Sequence, residues 1–182
     1  VVVATDSTEY ERLGGFSAYK PRSTYKGEIA IPGTLQAENF DGGADGIAFH
    51  DSDTKDDGNV GYRKDNEGVD IVSGNGGYAI GYTSSGEWLE YTVNVAEAGI
   101  YAFEATVSSG VTNSGISLAL STENGLVELT KSLTIPSAGS KSTLTVKVNA
   151  MMEGKQRLMG SFDYRVKNLP PPNAYFEVNG HP

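Results

Sequence analysis

The chain has 182 residues with 23 Gly, 7 Pro, no Cys, two His and a formal net charge of −9, a length that suits one domain able to bury a core without disulfides or metal. The lack of Cys excludes a disulfide scaffold, a thiol nucleophile and any cysteine-ligated metal site, and His50 and His181 alone cannot build a His-rich one. The balance of 23 acidic against 14 basic residues opposes nucleic-acid binding, which needs a basic face; no apolar run nears the ~20 residues of a spanning helix, and VVVATDSTEY lacks a signal-peptide layout.

Residues 1–32 read as a linker or N-terminal arm, because 17–27 is polar and without periodicity. The domain is expected over 33–180. Strands are expected over 34–40, 46–50, 69–72 and 77–82. The clearest follows in Glu87–Val95, where Leu89, Tyr91, Val93 and Val95 share one face and Trp88, Glu90, Thr92 and Asn94 the other. That period of two marks a half-buried strand. Ile100–Val107 is apolar at even and odd positions alike. Ile116–Leu120 and Leu144–Val148 alternate again, and further strands are expected over 126–134, 156–165 and 174–178. Between them stand turn signals such as Asp41-Gly42-Gly43, Ser84-Ser85-Gly86 and Glu123-Asn124-Gly125, where Gly or Asn serves positive φ. No helical stretch stands out. About ten short strands at this spacing predict an all-β sandwich or barrel. Pro170-Pro171-Pro172 cannot donate to a ladder and reads as a stiff connection before the last strand.

Four groups of residues could carry chemistry. Alternation would place Gln36 and Glu38 on one strand face, where two oxygen donors suit a hard cation such as calcium. A solvated strand face is the alternative, since calcium takes 6–8 oxygens. The acidic run Asp51–Asn59 faintly resembles an EF-hand loop, but Lys55 fills a ligand slot and no Glu closes it; a solvated loop is the simpler reading. Asn59, Tyr62 and Arg63 lie together in a Gly- and Asp-rich loop. There a ring could stack on the apolar face of a pyranose while amide and guanidinium groups bind hydroxyls, or the Tyr could simply pack against its neighbours. A glycosidase needs two carboxylates across the scissile bond. Glu87 and Glu90, three apart on a strand, would face opposite ways, and no G-x-S-x-G, H-E-x-x-H or P-loop occurs.

Taken in order, Leu35-Gln36-Ala37-Glu38-Asn39-Phe40, Gly46–Asp51, Gly61-Tyr62-Arg63, Glu67–Ile71, Gly77–Tyr82 and Gly86–Val95 resemble the family 6 carbohydrate-binding modules. These are non-catalytic domains of secreted polysaccharide-degrading enzymes. The resemblance covers 32–110 most closely. It implies a jelly-roll-like sandwich of two antiparallel sheets, a structural calcium (Ca2+) and a sugar cleft in the loops at one end. It implies a polysaccharide or oligosaccharide partner, a covalently linked catalytic domain and a secreted, extracellular location. Gln36 and Glu38 fall on the family's calcium positions, with Asp57 and carbonyls of 51–59 nearby. Tyr62 falls on the ring that stacks sugar, with Asn59 and Arg63 beside it. Trp88 is expected to be mainly structural, with a second sugar site on the concave sheet face as the alternative.

The last third departs from the family pattern. Lys141 and Leu144 stand where a Trp would oppose the Tyr. Pro172–Val178 lacks the late Asp, and its Asn173 is displaced from the sugar-binding Asn. Residues 150–172 match nothing in the pattern. A sandwich with a degenerate or remodelled cleft, acting as a spacer or interaction module, is therefore the alternative function.

Overall fold

The structure is a computed structural model and describes residues 20–65, 68–74, 76–136, 142–164 and 177–181. The first half of the chain holds β1 (Ile29–Ile31), β2 (Thr34–Gln36), β3 (Phe49–His50), β4 (Ile71–Gly74), β5 (Gly77–Ile80) and β6 (Trp88–Val95). The second half holds β7 (Gly99–Val107), β8 (Ser114–Thr122), β9 (Gly125–Glu128), β10 (Leu133–Thr134), β11 (Ser142–Met151), β12 (Gly154–Tyr164) and β13 (Glu177–His181). One sheet runs β1-β6-β12-β8-β10, with β3 also on β6 and β9 also on β8; the other runs β11-β7-β13-β2, and β4-β5 is a separate hairpin. The expected antiparallel sandwich is what forms, while β1 joins β6 in parallel.

The core follows the sequence pattern. Leu89, Tyr91, Val93 and Val95 of β6 are buried, as are Tyr101, Phe103, Ala105 and Val107 of β7. Ala102, Glu104 and Thr106 of β7 are half-buried, whereas Ile100 near its start is exposed. Phe40 and Phe49 meet edge to face at 5.4 Å. The Tyr91 hydroxyl donates to the Ala37 carbonyl at 2.9 Å, so the core ring of β6 holds the segment that follows β2. Each such fully buried ring or aliphatic chain contributes about 1.5–3 kcal/mol through water exclusion.

Several boundaries move. The strand expected over 34–40 stops at Gln36, and Ala37–Asn39 forms a 3-10 turn. The strand expected over 46–50 keeps only Phe49–His50, and 126–134 divides into β9 and β10. The strand expected over 156–165 forms as β12, inside the stretch 150–172. That strand is central, pairing with β6 on one side and β8 on the other.

The assignment of 1–32 as an arm also changes for its described part. Ile31 is buried, and Ile29 and Ile31 pair with Val93 and Val95. Ser23 and Gly42 exchange backbone hydrogen bonds at 2.8 and 2.7 Å. Arg22 pairs with the buried Glu90 and donates to the Ile47 carbonyl. Residues 22–31 are thus part of the sandwich.

Candidate functional site

Around the 3-10 turn, three segments distant in sequence bring their tyrosines together. Tyr62 lies with its ring centroid 4.3 Å from that of Tyr78 on β5, at an interplanar angle of 36°. Tyr25 meets it edge-on at 6.0 Å. The Tyr62 hydroxyl donates to Asn39 Oδ1 at 2.6 Å and accepts from Lys26 Nζ, whose charge also sits 4.9 Å from the ring centroid. That hydrogen bond, more than any other contact, raises the Lys26 pKa. Tyr62 is half-buried and packs on the core, whereas Tyr78 keeps 37% of its surface exposed. The arrangement is an aromatic cluster with polar groups at its margin, able to stack an apolar ring face and to exchange hydrogen bonds at the edge.

Arg63 does not belong to the accessible part of this cluster. It is 4% exposed. Its guanidinium lies 3.9 Å from the Phe40 ring centroid and 4.0 Å from that of Tyr25. One nitrogen donates to the Phe40 carbonyl; two others form a fork on Asp65 at 3.0 and 2.9 Å. The hydrogen bond from Arg63 holds the Asp65 carboxyl below its usual range. The expected sugar-binding role of Arg63 is therefore corrected: its donors and both faces are occupied by the scaffold.

Asn59 is exposed and takes a left-handed φ of 47°, which Asn tolerates; its backbone N–H donates to Asp56 Oδ1 at 3.0 Å. Its loop is pressed on β4. A Cβ at Gly58 would lie 1.8 Å from the Ile71 carbonyl oxygen, so only Gly fits there. Trp88 is half-buried at the start of β6, with its ring 6.5 Å from His50 and tilted by 40°; its described ring neighbour is that histidine, not a tyrosine. Leu144 lies within β11 opposite Ala105 and packs on the core, so it cannot form a loop wall. Asn173 and Lys141 lie outside the described residues.

The proposed calcium donors are only partly together. Gln36 ends β2 half-buried, and Glu38, 6% exposed, sits in the 3-10 turn rather than on a shared strand face. The buried Glu38 carboxylate is the kind of oxygen donor a hard cation takes. Asp57 does not: its carboxylate pairs with Lys55. Among the described residues, no group of three or more His, Cys, Asp or Glu stands in a metal-binding arrangement.

Glu87 and Glu90 are both buried and serve the scaffold. Glu87 accepts from the Ser52 hydroxyl at 2.6 Å and from the Ser84 N–H at 2.7 Å, binding two loops together. Glu90 is held by Arg22.

Three contributors to the cluster lay outside the sequence expectations. Tyr25 and Lys26 fall in the polar stretch read as an arm, where no period signals packing. Tyr78 lies in an expected strand but beside a Gly-rich turn that hides its face. Tyr82 is half-exposed with φ of 48°, an outlier for a bulky residue of the kind that gathers at ligand clamps.

The acidic loops make stability depend on pH. Burial pushes Asp70 up to about 7, with the carboxylates of Asp51, Asp57 and Asp56 adding to it. Burial likewise pushes Asp51 up to about 6, aided by Glu87, and raises Asp41 and Glu90. The unfolded chain ionises near the ordinary carboxylate pKa, so between there and pH 6–7 the folded state holds protons that the unfolded state has lost. Stability therefore falls as pH rises through this window and levels above it. A melt in chelator is expected to be higher at pH 5 than at pH 8. Asp70 alone accounts for on the order of 2 kcal/mol, and Asp51, nearer solvent, adds less. A melting temperature that rises from pH 5 to pH 8 would contradict this.

The family model "Carbohydrate binding module (family 6)" matches residues 62–162. No curated protein matches the chain. Among solved structures, the C-terminal family 6 module of a marine laminarinase from Zobellia galactanivorans is 19% identical, with a TM-score of 0.53 over 80% of this chain and 98% of that one. A family 6 module of a Cellvibrio mixtus lichenase, solved with cellotriose, is 19% identical, with a TM-score of 0.51 over 82% and 97%. A module from Clostridium stercorarium, solved with cellobiose, is 18% identical, with a TM-score of 0.56 over 83% and 95%. At these identities the likeness is one of fold, and it agrees with the sandwich described above. The family match spans more than half of the sequence, and the chain belongs to the family 6 carbohydrate-binding modules.

Proposed function

We propose that this module binds a polysaccharide without acting on it, through a sugar stacked on the Tyr25–Tyr62–Tyr78 cluster. The observation that carries the reading is the cluster itself. Three rings converge on one place, one of them is substantially exposed, and Lys26 and Asn39 stand at its margin. Tyr82, strained and half-exposed, is a second candidate contact. The buried Glu87 and Glu90, each held by scaffold groups, favour binding over hydrolysis. The related modules solved with cellotriose and cellobiose make neutral glucans the first ligands to try. The module would hold an attached glycoside hydrolase against its substrate outside the cell. Affinity would be modest, since few contacts leave little surplus after ordering costs.

Affinity electrophoresis of the whole chain through gels containing xylan, laminarin, lichenan, agar or hydroxyethylcellulose tests this. Retardation by at least one is expected. Migration unchanged by all of them would favour the alternative, a sandwich that acts as a spacer or interaction domain. The commitment of Tyr62 to neighbours and the place of Leu144 in β11 are the observations that favour that alternative.

A calcium ion held at Gln36 and Glu38 is part of the same proposal. The Glu38 carboxylate, 6% exposed, would serve as a charged oxygen donor to the ion where water is scarce. Excess chelator is expected to lower the melting temperature by several degrees, and calcium to restore it. In Glu38→Gln the chelator effect should vanish. A melt that does not respond to chelator in the unaltered chain would contradict the ion.

A further inference from the structure

The segment 22–31 lies ahead of the family-matched residues 62–162, yet it is tied into the sandwich at both ends. At one end, Arg22 pairs with the Glu90 carboxylate, whose side chain is 2% exposed, and donates to the Ile47 carbonyl. Ser23 exchanges backbone hydrogen bonds with Gly42, and the approach is close: a Cβ at Gly42 would stand 3.2 Å from Ser23 Oγ. Asp41, beside Gly42, is itself fixed to β6, accepting from the Thr92 N–H at 3.1 Å and from its hydroxyl at 2.7 Å. At the other end, Ile29 and Ile31 pair with Val93 and Val95 of the same strand. Between these ties the segment passes the tyrosine cluster. The Tyr25 hydroxyl donates to the Tyr62 carbonyl at 3.4 Å, its ring meets those of Tyr62 and Arg63, and Lys26 donates to the Tyr62 hydroxyl. The cations on the cluster rings are Lys26 and Arg63, not Arg22.

We propose that segment 22–31 is a strap that pre-organises the tyrosine cluster, and that Arg22 is its positioning residue, setting where Tyr25 and Lys26 meet Tyr62. This rests on the carbohydrate-binding reading and adds the element that controls the site. Ordering a connecting segment costs conformational entropy. A strap already fixed in the folded chain meets that cost before the sugar arrives, so less affinity is lost on binding. Arginine suits the clamp because its planar fork serves a carboxylate and a carbonyl at once, whereas an ammonium is a point charge on a flexible stem. With Glu90 buried, loss of Arg22 leaves a dry carboxylate without its cation, and the chain on either side of Ser23 gains freedom. Arg22 then acts on the sugar only through the strap, three residues before Tyr25 and four before Lys26.

Isothermal titration of the whole chain with cellohexaose, xylohexaose and laminarihexaose tests the strap, at a temperature where the variants compared are folded. Arg22→Gln is expected to weaken binding about fivefold or more, and Arg22→Lys to recover part of the loss. Ser23→Pro deletes the N–H that bonds Gly42 without touching a ring, and should weaken binding in the same way. Val146→Ala is the control for lost stability alone. Val146 packs on the core from β11, opposite Phe103, so this variant should melt lower and keep its affinity within about twofold. In NMR spectra the ring signals of Tyr25 and Tyr62 should shift in Arg22→Gln and stay in place in Val146→Ala. If Arg22→Gln does not fold, Arg22→Lys and Ser23→Pro decide. If the folded strap variants bind a hexasaccharide as tightly as the unaltered chain, the strap role is wrong and the carbohydrate-binding reading stands. Tighter binding would make the segment a cover over the site, the opposite of the proposal. An equal loss in Val146→Ala would trace the effect to stability and overturn the positioning role. If the unaltered chain binds none of the sugars, reading and strap fail together.

Discussion

Arg63→Ala is expected to destabilise the chain by about 2–3 kcal/mol, the order found when a buried, hydrogen-bonded side chain is lost. The guanidinium is a structural wedge. It lies between the Phe40 and Tyr25 rings, donates to the Phe40 carbonyl and grips Asp65 with two nitrogens. Removal leaves a buried carbonyl without its donor, two rings without their spacer and a carboxylate without its partner. Arg63→Lys should recover little, because an ammonium is a point charge that can neither stack between rings nor form the fork. Urea unfolding of the two variants measures the effect. A loss below about 1 kcal/mol for Arg63→Ala would mean that the packed arrangement contributes little and would reopen a ligand role for this residue.

Tyr62→Ala is expected to bring sugar binding to the detection limit. Tyr62 lies against Tyr78 at 4.3 Å and anchors Asn39 and Lys26 through its hydroxyl. Truncation removes one ring of the cluster and the support of another. Stacking platforms lose about 1–3 kcal/mol per ring, a factor of roughly ten or more in affinity. For a module whose affinity begins modest, that suffices to abolish a measurable signal. The half-buried ring also packs on the core, so a stability loss of about 1–2 kcal/mol accompanies it. Tyr62→Phe keeps the ring and separates the two effects.

How far the sequence discloses the fold depends on whether neighbours in sequence are neighbours in space. Strand β6 is readable because its alternation reports its own burial, and Leu89, Tyr91, Val93 and Val95 all face the core. The strand expected over 34–40 fails for the opposite reason. Alternation there continues through Ala37 and Glu38, but the Ala37 carbonyl is taken by Tyr91, 54 positions later, and the chain turns into a 3-10 helix. The segment 22–31 looks like an arm because Tyr25 and Arg22 pack against Tyr62 and Glu90, partners that no local period can report. Strand β12 is readable within two residues of its bounds, but its central place between β6 and β8 is not, because no local period reports which strands it pairs with.

The site divides along similar lines. Residue type and local order single out Tyr62, and the structure places it in a cluster. The same reasoning misassigns Arg63, because an arginine beside a tyrosine in a Gly-rich loop looks the same whether it faces a ligand or two buried rings. It misses Tyr78 and Lys26 because each reaches Tyr62 from a separate segment. Asp57 reads as a calcium donor in an acidic loop, but its carboxylate pairs with Lys55, two residues away.

This sandwich is proposed to hold a sugar on its tyrosine cluster. Titration calorimetry of the unaltered chain and of Tyr62→Ala, each with the polysaccharide that retards the module most, tests it most directly. Measurable heat and modest affinity are expected for the unaltered chain and no detectable binding by the variant, with both still folded at the working temperature. Binding of undiminished affinity by a folded Tyr62→Ala, or no binding of any polysaccharide by the unaltered chain, would contradict it.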